Sequence, residues 1–173
     1  MTERKDVVTF KGNPLTLVGE SPGVGDRALD FVALAGDLSE VRLSDYRGKV
    51  VVVTTVPSLD TSVCDTETRR FNEEAPGLGE DVVVLAVSMD LPFGQARWCG
   101  AAGIENVRTL SDHRDASVGT SLGVLIKELR LLARAVFVID AEGVVRYVQI
   151  VPEMTEEPDY EAALAAVRQL AEP

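Results

Sequence analysis

Val50-Val51-Val52-Val53-Thr54-Thr55-Val56, running into Pro57-Ser58-Leu59-Asp60-Thr61-Ser62-Val63-Cys64, is the stretch on which the rest of the chain is read. The unbroken β-branched run shows no alternation of apolar and polar positions, as expected of a central strand covered on both faces. Pro57 stops it. From about Thr61 to Ala75 the chain reads as a helix closed by Pro76-Gly77. A cysteine therefore stands where a buried strand gives way to a helix, which in open α/β sheets is where ligands bind. With Thr61 near the N-cap, Cys64 falls in the first helical turn. There the unpaired backbone amides and the helix dipole favour a thiolate over a thiol. A small buried cysteine is the plainer reading, and the position at a strand-to-helix switch weighs against it.

Toward the N-terminus, Val7–Phe10, a Lys-Gly-Asn-Pro turn and Leu15–Val18 read as a small hairpin. Asp30–Leu34 and Val41 to Tyr46 follow, separated by a polar break, before Arg47-Gly48-Lys49 turns the chain into the β-branched run. Toward the C-terminus, Val82–Val87 is a second buried strand, and Gln95 to Ala102 reads as a helix ending at Gly103. A short helix is expected around Asp112 to Ser121. Ala135–Asp140 and Val144–Ile150 form a hairpin through Ala141-Glu142-Gly143. Tyr160 to Ala171 is an amphipathic helix with Ala163, Leu164, Val167 and Leu170 on one side. The expectation is an α/β fold, a mixed central sheet flanked by helices, with residues 1–173 as one domain.

The 173 residues are 46% hydrophobic, enough for a sizeable core, and carry a formal charge of −11. So acidic a surface repels nucleic acid and anionic membranes, and neither is expected as a partner. Met-Thr-Glu-Arg-Lys-Asp has no apolar stretch behind it, and no run approaches the roughly 20 apolar residues of a membrane span. A cytoplasmic location is expected, where a standing structural disulfide is rare.

Gly23-Val24-Gly25-Asp26-Arg27-Ala28 has the letters of a dinucleotide fingerprint, but it follows a loop and precedes a strand, so it is set aside. One histidine and two distant cysteines lack the paired spacing of a zinc site, and neither metal nor cofactor is expected. His113 reads as a solvated histidine near a helix start. It is the only histidine, so no Ser–His–Asp arrangement can be built on it.

Pro57, Thr61 and Cys64 make up Pro-x-x-x-Thr-x-x-Cys, which resembles the active-site signature of the peroxiredoxins. The longer string Pro-Ser-Leu-Asp-Thr-Ser-Val-Cys is similar to the thiol peroxidase branch, the atypical two-cysteine peroxiredoxins. Lys11-Gly12-Asn13-Pro14 looks like the hairpin turn of that branch, and Ala96-Arg97-Trp98-Cys99-Gly100 like its resolving-cysteine segment. Ala133-Arg134-Ala135-Val136-Phe137-Val138-Ile139-Asp140 resembles its arginine strand, and Glu157-Pro158-Asp159-Tyr160-Glu161-Ala162-Ala163-Leu164 the opening of its last helix. The resemblance implies a thioredoxin fold with an N-terminal β-hairpin, a homodimer, and reduction by thioredoxin. It also implies that Cys64 attacks a hydroperoxide and becomes a sulfenic acid, with which Cys99 then condenses to a disulfide within the chain.

Acidity alone would not make such a thiol fast. For a generic cysteine, lowering the pKa from about 8.5 to about 6 raises the thiolate fraction at neutral pH roughly thirtyfold. A nucleophilicity slope of about 0.45 takes back roughly thirteenfold. The rest must come from donors fixed against the departing oxygen. Thr61, three residues before Cys64, offers a hydroxyl for both thiolate and peroxide, and the Ser62–Cys64 turn offers amides. Arg134 offers a permanent charge with a planar fork of N–H groups. Pro57, lacking an N–H, helps wall the pocket. Because the two cysteines lie in different predicted helices and a disulfide needs Cα atoms within about 7 Å, local unwinding is expected to accompany its formation.

One enzyme rival, one rival without turnover and one inert reading stand beside this. A thioredoxin-type oxidoreductase would need Cys-x-x-Cys, which the chain lacks. A redox sensor or binding module on the same fold would start from the same reactive thiol without turnover, and an inert domain would bury both thiols. The resemblance leans toward alkyl hydroperoxides as substrates.

Overall fold

The computed structural model describes residues 1–171. The chain opens with an antiparallel hairpin, Glu3–Phe10 (β1) and Asn13–Val18 (β2), followed by the short strands Val32–Leu34 (β3) and Glu40–Arg42 (β4). A strand–helix–strand–helix–strand run comes next: Val50–Thr55 (β5), Ser62–Glu74 (α1), Val82–Ser88 (β6), Pro92–Ala102 (α2) and Arg108–Ser111 (β7). Ser117–Leu122 (α3), Leu125–Ile126 (β8), the hairpin Ala135–Ile139 (β9) and Val145–Ile150 (β10), and Tyr160–Ala171 (α4) complete it. The main sheet has seven strands in the order β10-β9-β5-β6-β7-β3-β4, and β1, β2 and β8 form a smaller one. The strands β5, β6 and β7 are parallel, whereas β9 runs antiparallel to β5.

Why the valine run does not alternate is now visible. Every residue of β5 is buried. Val51 and Val53 face a core shared with Phe31, Leu17, Leu122 and Phe137, toward the hairpin and α3. Val50 and Val52 face the opposite core, with Phe71 of α1 and Leu164 and Val167 of α4. Truncating any of them to alanine would forfeit about 1.5 kcal/mol of transfer free energy, plus a cavity cost.

Several boundaries differ from the sequence reading. The first strand reaches back to Glu3, with a register shift between Lys5 and Val8 where Asp6 takes a φ of +63°. Val41 to Tyr46 splits into β4 and a 3₁₀ turn over Leu43–Tyr46. The second crossover helix starts at Pro92 rather than Gln95, since proline at the first helical position has no amide to lose. It ends where expected, Gly103 taking the left-handed φ of +70° that a helix terminus favours in glycine. The Asp112–Ser121 helix shortens to α3, and Asp112 stays outside it, its carboxylate accepting the Val118 and Gly119 amides at 2.9 and 2.8 Å. The sequence does not mark β7, which has Leu110 as its one apolar residue, or β8, which is two residues long.

The N-terminal hairpin is buckled onto the chain that follows β10. The Thr9 amide donates to Pro152 O at 2.7 Å and the Met154 amide to Thr9 O at 2.9 Å. Glu153 accepts from the Gly12 amide and the Thr9 hydroxyl, both at 2.9 Å. Backbone donors from Gly12 and Thr155, with the Thr155 and Thr9 hydroxyls, hold this carboxyl down at about 2.

Candidate active site

The pairing of β5 with β9 places Thr55 opposite Ala135. Arg134, one residue earlier, is thereby set beside the end of β5, where the chain turns into α1. That register is what joins residues 70 positions apart: Arg134 Nη1 lies 3.4 Å from Cys64 Sγ. The same nitrogen donates to Glu67 Oε2 at 2.7 Å, and Nε and Nη2 donate to Met154 O at 3.2 and 2.8 Å. Arg134 is 2% exposed, so its guanidinium points inward rather than out to water. Burial works against its charge, but Glu67 and Cys64 outweigh that and hold it more firmly protonated than an ordinary arginine.

Cys64 is fully buried, walled by Val56 and Leu59 with Trp98 packed against them. Thr61 is the N-cap of α1 but makes no side-chain cap, leaving the first-turn amides to other acceptors. Glu67, Thr68 and Phe71 share the buried face of α1 with Cys64. Val63, next to Cys64 in the first turn, is only half-buried. An open groove lined by Leu59, Asp60, Thr61, Ser62, Asp65 and Trp98 shares Leu59 and Trp98 with the walls of the sulfur's pocket.

Of the residues singled out in the sequence, Cys64 and Arg134 are in hydrogen-bond contact. Pro57 is buried in the turn between β5 and α1. Thr61 is beside the sulfur in sequence, but its hydroxyl is directed elsewhere: it is exposed and donates to Ser58 O at 3.0 Å. Cys99 lies on α2, half-buried in the other core, its sulfur 3.5 Å from the Thr109 hydroxyl. Both thiols are free.

Glu67 was not singled out. It is fully buried and bridges Arg134 to the Thr54 hydroxyl, which donates to it at 2.6 Å. Burial pushes its carboxyl up, and Arg134 and Thr54 pull it back only in part. A signal for it existed: an acidic residue one turn after Cys64, in line with Thr68 and Phe71 on the face that α1 turns to the sheet. The arrangement is suited to a buried sulfur nucleophile, with a cationic donor held against the sulfur.

The sequence matches the protein family described as Redoxin over residues 23–164. It is 58% identical to a thiol peroxidase of Halalkalibacterium halodurans over 161 residues, covering 93% of this chain and 96% of that protein. It is 57% identical to a thiol peroxidase of Bacillus subtilis over 163 residues, covering 94% and 97%. Among solved structures, a peroxiredoxin-like protein from Aquifex aeolicus superposes with a TM-score of 0.89 at 49% identity, covering 96% of this chain and 97% of that one. A thiol peroxidase from Chromobacterium violaceum, at 22% identity and covering 94% and 95%, shares the fold with a TM-score of 0.81. The mixed sheet and its flanking helices are thus the thioredoxin-like arrangement expected from the sequence.

Proposed function

Because this chain belongs to the Redoxin family, matching its thiol peroxidases over nearly its whole length, it is a thiol-dependent peroxidase, and we propose that Cys64 is its attacking thiol and Cys99 its resolving one. The observation that carries the assignment is the contact of Arg134 with Cys64 Sγ at the start of α1.

In this reading the Cys64 thiolate attacks the nearer oxygen of a hydroperoxide. The O–O bond breaks, the distal oxygen leaves as alcohol or water after taking a proton, and the sulfur keeps the other oxygen as a sulfenic acid. Arg134 and the first-turn amides of α1 stabilise the charge on the departing oxygen. Thr61 takes part by turning about χ1 into another staggered well, which frees its hydroxyl from Ser58. Glu67 and Met154 O hold the guanidinium in place, and Pro57 helps to close the pocket. Cys99 then attacks the sulfenic sulfur, an S–S bond forms and the oxygen leaves as water. Thioredoxin returns both thiols by dithiol exchange.

We place this cycle in the cytoplasm, where a reducing thiol pool supports it. Among the described residues no helix is long and apolar enough to cross a membrane. A homodimer is part of the proposal, supported by Leu91 and Phe93, which are 55% and 64% exposed around the start of α2.

The test is the intact mass of reduced protein after one equivalent of alkyl hydroperoxide. Loss of two hydrogens in the wild type, one added oxygen in Cys99→Ser and no change in Cys64→Ser are expected. A Cys64→Ser variant that still reacts, with an inert Cys99→Ser, would reverse the roles.

A further inference from the structure

Asp65 directly follows Cys64, and Trp98 directly precedes Cys99. Across the space between the two helices these neighbours are bonded: Trp98 Nε1 donates to Asp65 Oδ2 at 2.9 Å. Among the described residues it is the one side-chain hydrogen bond between α1 and α2. Arg69 closes a ring. It pairs with the other Asp65 oxygen one turn along α1, and its guanidinium lies 5.7 Å from the Trp98 ring centroid. The Arg69 bond, with the indole bond behind it, holds the Asp65 carboxyl below the usual carboxylate range. The indole also packs against Val56, Leu59 and Cys64.

We infer that Asp65, Arg69 and Trp98 form a latch that sets how fast Cys99 captures the sulfenic acid on Cys64. The inference rests on the proposed roles of the two cysteines. In the latched state the sulfurs face different partners, Cys64 toward Arg134 and Cys99 toward Thr109. Successive residues of a helix point about 100° apart. While Trp98 reaches toward α1, Cys99 is therefore turned to β7, and rotating or unwinding the segment to present Cys99 takes the indole off Asp65.

Two reactions then compete for one sulfenic acid. Either the Cys99 thiolate attacks the sulfur, with loss of the oxygen as water, or a second hydroperoxide adds another oxygen and leaves as alcohol, giving a sulfinic acid. A closed latch permits only the second. Its opening sets the peroxide level at which the enzyme inactivates itself, and Asp65, Arg69 and Trp98 act as positioning residues for the resolving step.

The experiment uses the full chain, tert-butyl hydroperoxide in excess, acid quench and intact mass, on wild type, Trp98→Phe and Asp65→Asn. Trp98→Phe keeps an aromatic ring against the pocket and removes the donor. Asp65→Asn keeps an acceptor for the indole but weakens the side held by Arg69. Conversion of sulfenic acid to disulfide is expected to be about fivefold faster in Trp98→Phe, the effect of losing one partly exposed hydrogen bond to a charged group. Asp65→Asn is expected to fall between it and wild type, and the sulfinic species, marked by two added oxygens, falls in parallel. As Trp98 is the only tryptophan, its emission is expected to shift in step with disulfide formation in wild type and Asp65→Asn. Equal or slower conversion in the variants, or an emission unmoved by oxidation, overturns the latch and leaves the cysteine roles standing. Wild type that forms no disulfide overturns the cysteine roles instead.

Discussion

Arg134 and Glu67 form an ion pair, Nη1 to Oε2 at 2.7 Å, with 2% and 0% of their side chains exposed. The pair is costly to make and more costly to break, because either charge left alone in the interior has no water to turn to. Glu67→Gln is expected to lower stability by about 3 kcal/mol in urea unfolding, at the lower end for a broken buried pair. It is also expected to slow oxidation of Cys64 at least tenfold in stopped-flow, as the guanidinium loses its anchor. An unchanged oxidation rate would confine Glu67 to a structural role.

Arg134→Lys probes the shape of the cation. Lysine keeps the charge but not the planar fork that reaches Cys64, Glu67 and Met154 O together. A fall of about 10²-fold in kcat/KM for hydroperoxide is expected, the scale on which one preorganised donor acts.

At Thr61 the comparison is between Val and Ser. Thr61→Val keeps the shape and removes the hydroxyl, and about 10²-fold loss of kcat/KM is expected with little change in urea midpoint. Thr61→Ser keeps the donor and is expected within a few fold of wild type. Equal activity of Val and Ser variants would leave the hydroxyl with Ser58 O, its partner in the structure.

Asp112 supplies a pH dependence away from the cysteines. It is 1% exposed, and burial outweighs its backbone donors to push its carboxyl from 3.8 up to about 6. Between those values the folded protein holds a proton that the unfolded chain has released, so stability falls as pH rises from about 4 to about 6 and levels off beyond. Urea unfolding across that range is expected to show this decline in wild type and a flatter profile in Asp112→Asn.

Hydrogen exchange checks the proposed unwinding. Amides in the first turns of α1 and throughout α2 are expected to exchange at least tenfold faster in the disulfide form, while those of β5 and β6 stay protected. Matching rates in the two redox forms would contradict it.

The sequence made the central strand legible because a β-branched run with both faces covered has only one common architectural meaning. The start of α1 was legible because Pro57 and Thr61 punctuate it. Cys64 could be singled out from its setting and Arg134 only from the family motif around it, but their contact depends on Thr55 standing opposite Ala135, a register that no local pattern encodes. Glu67 was readable as an acid on an apolar helix face and was passed over. The Thr61 rotamer was not readable, since a hydroxyl with Ser58 O nearby has a choice that only the folded backbone decides. The bond from Trp98 to Asp65 was equally hidden, joining two helices whose separation comes from the sheet beneath them.

The two thiols are each well housed when reduced, Cys64 against Arg134 and Cys99 against Thr109. In the proposed cycle oxidation evicts both. The folding free energy given up when the helices loosen is returned when the disulfide is reduced and the segments re-form. A couple whose dithiol form is stabilised in this way is the more oxidising for it. The packing around the reduced cysteines thus helps to drive electrons from the reductant into the protein, so the enzyme's own native state contributes to its regeneration.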